Sequence, residues 1–168
     1  MLGMLANLLK VLNSDASPGQ VSLGFAFALF IGLTPFLSLH NVLILFFVFV
    51  IRVNLSAFFL GCALFSLIAY AIDPISISLG QAILSSDQLK DFWVGLYQSD
   101  FWRATKFNHT LLLGSLTIAA ALFIPVFIAL RILIKIYRER FMAWFEKLKI
   151  SKIIKASKFY KLYEKLGA

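Results

Sequence analysis

The chain has 168 residues, 61% of them hydrophobic and only 14% charged, with 18 Phe and a mean hydropathy of +0.89. An ordinary soluble domain is about 45–50% apolar and about 25% charged, and a chain this short cannot hide the excess in one core. That balance excludes a soluble globular domain and predicts an all-α, polytopic membrane protein. Residues 131–168 carry eleven Lys/Arg and three Glu, whereas residues 1–130 carry five of each sign, so the whole net charge of +8 follows the last apolar run. Basic residues beside a span mark the cytoplasmic side of a membrane, which predicts a cytoplasmic C-terminus. A basic tail also suits nucleic acid. Here, however, the Lys residues alternate with Phe, Trp, Tyr and Ile at helical spacing, which fits a membrane surface bearing anionic headgroups. No nucleic-acid partner is expected.

In chain order, Leu2, Leu5, Leu9 and Leu12 share one helical face and predict a short helix lying on the membrane. The stretch 13–19 is a turn, with Ser17 as an N-cap and Pro18 at the first helical position. Val21 to Ile51 holds no charge and is broken at Thr34-Pro35 and at Ser38-Leu39-His40-Asn41. Each half is roughly 21–25 Å of helix, short of the ~30 Å hydrocarbon core. Two short helices with a polar tip predict a re-entrant hairpin over 21–51. The rival reading, full spans over 18–38 and 41–60, places Arg52 inside a span at a cost of about 2.5–3.5 kcal/mol.

Leu55 to Ile72 is uncharged and reads as the first full transmembrane helix, stopped by Asp73-Pro74. Ser85-Ser86-Asp87-Gln88 resembles a capping box, ahead of an amphipathic interfacial helix on Leu89, Phe92, Trp93 and Leu96. Thr110 to Leu130 is the second full span, with Pro125 placed to kink it. Residues 1–134 are therefore expected to form one membrane domain, and 135–168 a basic amphipathic cytoplasmic tail with Phe141, Trp144, Phe145 and Leu148 on one face.

Few residues offer chemistry. His40 and Asn41 at the hairpin tip, and Arg52 and Asn54 at its exit, are the candidate ligand-binding residues. Intramembrane polar groups are often functional, and Arg suits bidentate phosphate binding. The plainer alternative is that the first pair satisfies turn backbone and the second anchors the interface. The lone Cys62 and the isolated His40 and His109 give no metal-ligand spacing. No cofactor motif and no nucleophile–base pair is visible, so neither cofactor nor catalysis is expected. Gly24, Ala28 and Gly32 recur every four residues, as do Ala57 and Gly61. Such spacing lets helices approach closely in lipid, within the chain or against a second copy or another membrane protein.

Gly24-Phe25-Ala26, Gly32-Leu33-Thr34-Pro35, His40-Asn41, Arg52-Val53-Asn54 and Asp73-Pro74 together resemble, over residues 15–85, the signature of the bacterial inner-membrane family catalogued as domain of unknown function 2062. Ser38, His40 and Asp73 stand where that pattern usually has Gly, Gln and Asn. The resemblance implies a multi-pass protein of the bacterial inner membrane. Some members of the family are fused to glycosyltransferases of the polyprenyl-phosphate type, which points to lipid-linked substrates by association. Two functions are expected as alternatives: binding, transport or presentation of an anionic lipid or lipid-linked carrier, or structural assembly through the small-residue faces.

Overall fold

The computed structural model describes Val11, residues 16–140 and the backbone of Phe141. The expected surface helix before residue 13 and the amphipathic tail beyond residue 141 lie outside the described residues. Among the described residues the chain is all-helical: α1 (Pro18–Leu33), α2 (Leu39–Val50), α3 (Leu55–Leu84), a 3-10 turn (Asp87–Leu89), α4 (Lys90–Tyr97), α5 (Asp100–Ala104) and α6 (Thr110–Ile136), closed by a π turn (Tyr137–Phe141).

Local chemistry sets several of these boundaries. Ser17 Oγ accepts from the Gln20 N–H at 3.2 Å while Gln20 Oε1 accepts from the Ser17 N–H at 3.1 Å, a capping box that starts α1 with Pro18 in its first turn. Thr34 turns extended (φ −104°, ψ 159°) because a residue before proline is pushed out of the helical region. Asn54 Oδ1 accepts from the Ala57 N–H at 2.8 Å and caps α3. The box expected at Ser85 is not formed: Ser85 instead ends α3, donating to the Gln81 carbonyl at 2.7 Å, and Ser86 makes no side-chain cap bond.

Two expected boundaries are corrected. Asp73-Pro74 does not end the third helix, which runs 30 residues through it to Leu84. A proline inside a helix removes one N–H and crowds the preceding turn, a cost that packing and nearby hydroxyls can offset in apolar surroundings. Here α3 is clamped against α6 just beyond the proline, at Ser76 and Gly80. Second, Leu89, Phe92, Trp93 and Leu96 do not share one helix, since Leu89 belongs to the preceding 3-10 turn. The last helix keeps Pro125 inside it and extends past Leu130 to Ile136, carrying Arg131 and Lys135 with it.

The close contacts give the topology. A Cβ built on Gly24 would lie 2.7 Å from the Asn54 carbonyl oxygen and 3.1 Å from Ala57 Cβ; one on Gly61 would lie 2.7 Å from Ala28 Cβ; one on Gly32 would lie 2.5 Å from Phe65 Cβ. The residue numbers rise together, so α1 and α3 run parallel. Helix α6 opposes both: Ala119 packs with Leu29 and Leu33, Ile134 with Val21 and Phe25, and Arg138 Nη1 donates to the Ala16 carbonyl at 2.8 Å. Helix α1 is the centre, with ten of its sixteen residues buried. Helix α2 folds back along it on the outside and buries only Asn41 and Val48.

Leu55–Leu84 and Thr110–Arg140 are long and apolar enough to cross a membrane, and only 17% and 22% of their most apolar windows are buried. The core helix of a soluble protein would be mostly covered. Here Phe59, Leu67, Ile68, Tyr70 and Ile75 on α3 and Ile124, Ile128, Ile132 and Leu133 on α6 stand exposed.

Candidate functional site

The hairpin tip, residues 34–38, is an irregular turn that settles its own polar atoms. Asn41 Nδ2 donates to the Phe36 carbonyl at 2.9 Å and to the Pro35 carbonyl at 3.1 Å, and Ser38 Oγ donates to the Pro35 carbonyl at 2.6 Å. Thr34 Oγ1 donates to the Phe30 carbonyl at 2.5 Å, closer than Asn41 Oδ1 at 3.3 Å, and lies 2.9 Å from His40 Nε2. With its single proton turned to Phe30, the hydroxyl accepts from His40, which assigns the imidazole proton to Nε2. Thr34, Ser38 and Asn41 are buried, while Phe36 and Leu37 stand 76% and 87% exposed. This inverts the usual surface turn, which shows polar groups and hides apolar ones.

Beside the tip, between α2 and α3, lies a wedge-shaped recess of about 590 Å³. Ile31 and Cys62 line its depth, and the exposed Leu37, Val42 and Phe59 form its rim. Its shape follows from connectivity: residues 51–54 hold the end of α2 against the start of α3, and Val48, Phe58 and Val53 seal that apex. Toward the tip the two helices part. Arg52 sits exposed on the connection at the apex. At the same end of the molecule lie Arg131, Lys135, Arg138 and Arg140, and among the described residues Glu139 is the carboxylate beside them, 3.9 Å from Lys135.

The four candidate ligand residues do not converge. His40 and Asn41 sit at the tip, and Arg52 and Asn54 at the apex. Between them runs α2, twelve residues, about 18 Å at 1.5 Å per residue. Asn41 lines the wedge but its amide is engaged by the turn, and the Asn54 side chain caps α3. Of the four, Arg52 alone is exposed, on the connection between α2 and α3 and outside the lining of the recess. Asp73 is half-buried within α3, and His109 is exposed ahead of α6 without a side-chain cap bond.

Sequence reading missed the second tight crossing. A Cβ on Gly80 would collide with the Thr110 carbonyl oxygen, and one on Gly114 with the Ser76 carbonyl oxygen, so α3 and α6 meet backbone to backbone there. The signal was present as Ser76-xxx-Gly80 facing Thr110-xxx-Gly114, but it was hidden by ending the helix at Asp73.

The fold thus defines a helical protein with two membrane-length helices wrapped around a short helical hairpin. A family model described as an uncharacterised protein conserved in bacteria, DUF2062, matches residues 4–143, and the chain belongs to that family. No curated protein and no solved structure matches the chain.

Proposed function

We propose that the protein is embedded in the bacterial inner membrane, with α3 and α6 crossing it and the α1–α2 hairpin entering and leaving on the cytoplasmic, basic face, and that it binds an anionic lipid. The observation that carries the lipid reading is the wedge, an apolar recess on an apolar surface, with the exposed Arg52 outside its lining on the connection that joins the two helices forming it. A hydrocarbon chain fills the recess and the phosphate meets Arg52, which stays charged near low dielectric and presents a planar fork. The tip supports the placement. Irregular backbone is tolerated at membrane depth only when its polar groups are satisfied, and here Asn41, Ser38 and Thr34 satisfy them while Phe36 and Leu37 face outward. The assembly alternative draws less support. Gly24, Ala28, Gly32, Ala57 and Gly61 already face one another within the chain, which leaves fewer small-residue faces for a partner.

Native mass spectrometry of the purified full-length protein with added anionic or zwitterionic phospholipid tests this. The parent retains the anionic lipid. Arg52→Ala retains about tenfold less, the loss of a charged hydrogen bond, and Arg52→Lys recovers only part because the fork is lost. Removing residues 141–168 lowers affinity for anionic vesicles in a salt-dependent way. Equal retention by the parent and Arg52→Ala would return the protein to the assembly reading.

A further inference from the structure

Resting on that reading, we infer that the site is one-sided: it holds an anionic phospholipid of the leaflet on the basic side and offers no route for the headgroup to the other leaflet. Depth supports this first. On α3 the recess is lined by Phe58, Phe59 and Cys62, and the connection from α2 ends at Asn54. From Asn54 to Cys62 eight residues of helix rise about 12 Å, less than half of the ~30 Å hydrocarbon core. The wedge therefore lies within one leaflet. A phospholipid chain matches that depth, whereas a long polyprenyl chain runs past the tip onto bare helix.

The far half of the bundle is the second argument. Beyond Phe65, α3 and α6 meet backbone to backbone at Ser76, Gly80, Thr110 and Gly114, which closes the space between them at that crossing. A phosphate crossing hydrocarbon needs polar partners or water along its path, because an isolated charge there is costly. The polar residues lining the wedge, Ser38 and Asn41, are already bonded to the turn.

Charge is the third. The basic end gathers Arg52, Arg131, Lys135, Arg138 and Arg140 against Glu139. The opposite cap balances Asp87, Asp91 and Asp100 with Lys90, Arg103 and Lys106, and Arg103 is paired with Asp100. An anionic headgroup is thus favoured at one face only.

The test uses the full-length protein in vesicles, with its orientation read from protease access to the C-terminal tail. An anionic phospholipid bearing a photoreactive group at its chain end is loaded into one leaflet at a time. Labelling is expected on the segments 36–45 and 58–62 when the lipid is in the basic-side leaflet, and at reagent background when it is in the other. Movement of a fluorescent anionic phospholipid between leaflets is expected to match protein-free vesicles. Unlabelled anionic phospholipid should compete for the label better than a polyprenyl phosphate. Labelling from both leaflets, or accelerated movement, overturns the one-sided site while leaving lipid binding intact, and equal competition overturns the choice of phospholipid. Labelling from neither leaflet overturns lipid binding itself.

Discussion

Gly32 sits at a close contact between α1 and α3, and adding a single methyl there has a calculable consequence. The Cβ of Gly32→Ala would stand 2.5 Å from Phe65 Cβ and 3.2 Å from both the Cys62 carbonyl oxygen and the Ser66 nitrogen. Ordinary carbon contact is about 3.5–4.0 Å. Phe65 Cβ is fixed to its helix and cannot rotate away, so α1 and α3 must separate by roughly an ångström. Overpacking of this kind costs about 1–3 kcal/mol. Ala is the better helix former by about 1 kcal/mol, which sets the net destabilisation at about 0–2 kcal/mol. At about 2–4 °C per kcal/mol for a chain of this size, Gly32→Ala lowers Tm by up to about 8 °C. Gly32→Leu goes further and loses folded protein, while Phe30→Leu, half-buried against the Phe123 ring at 5.7 Å, is tolerated. Gly95 in α4 is the internal control: nothing lies within 4 Å of its Cβ position, so Gly95→Ala gains propensity without a clash and raises Tm. The assay is thermal unfolding in detergent followed by circular dichroism and by loss of the monodisperse peak. If Gly32→Leu and the parent unfold together, the α1–α3 seam is not a close-packed contact and the reasoning fails.

Three further outcomes follow from the tip and the topology. Asn41→Leu strips the donors from the Pro35 and Phe36 carbonyls and destabilises by about 1–3 kcal/mol in the same unfolding assay; no loss would mean that water reaches those carbonyls. His40→Gln keeps a donor toward Thr34 and stays within about 0.5 kcal/mol of the parent, whereas His40→Leu lowers stability by about 0.5–1.5 kcal/mol, and equal Tm values for the two would remove His40 from the tip network. On a Cys62→Ser background, a cysteine at position 52 is labelled from the cytoplasm and one at position 38 resists external reagent; the reverse pattern favours two full spans, and a reporter at Ala168 active only after export would invert the topology.

The helical class, two membrane-length apolar runs and the asymmetry of charge can be read from the sequence because each depends on composition or on period along one chain. The capping box at Ser17 is legible for the same reason, since its partners are three residues apart. The recurrence of Gly24, Ala28 and Gly32 announces a close approach, but nothing local names its partner, and only the fold brings Asn54, Ala57, Gly61 and Phe65 to it in parallel register. Pro74 shows where local chemistry misleads. A proline stop is the correct expectation for an isolated helix, and it fails because the crossing at Ser76, Gly80 and Gly114 holds α3 together on the far side. The site divides in the same way. Arg52 beside a broken apolar run is visible in the sequence. That His40 and Asn41 serve the turn, and that a recess opens between α2 and α3, depend on which atoms meet across six, seven or twenty residues. Those distances are set by how helices pack against one another, and side-chain type alone carries no record of them.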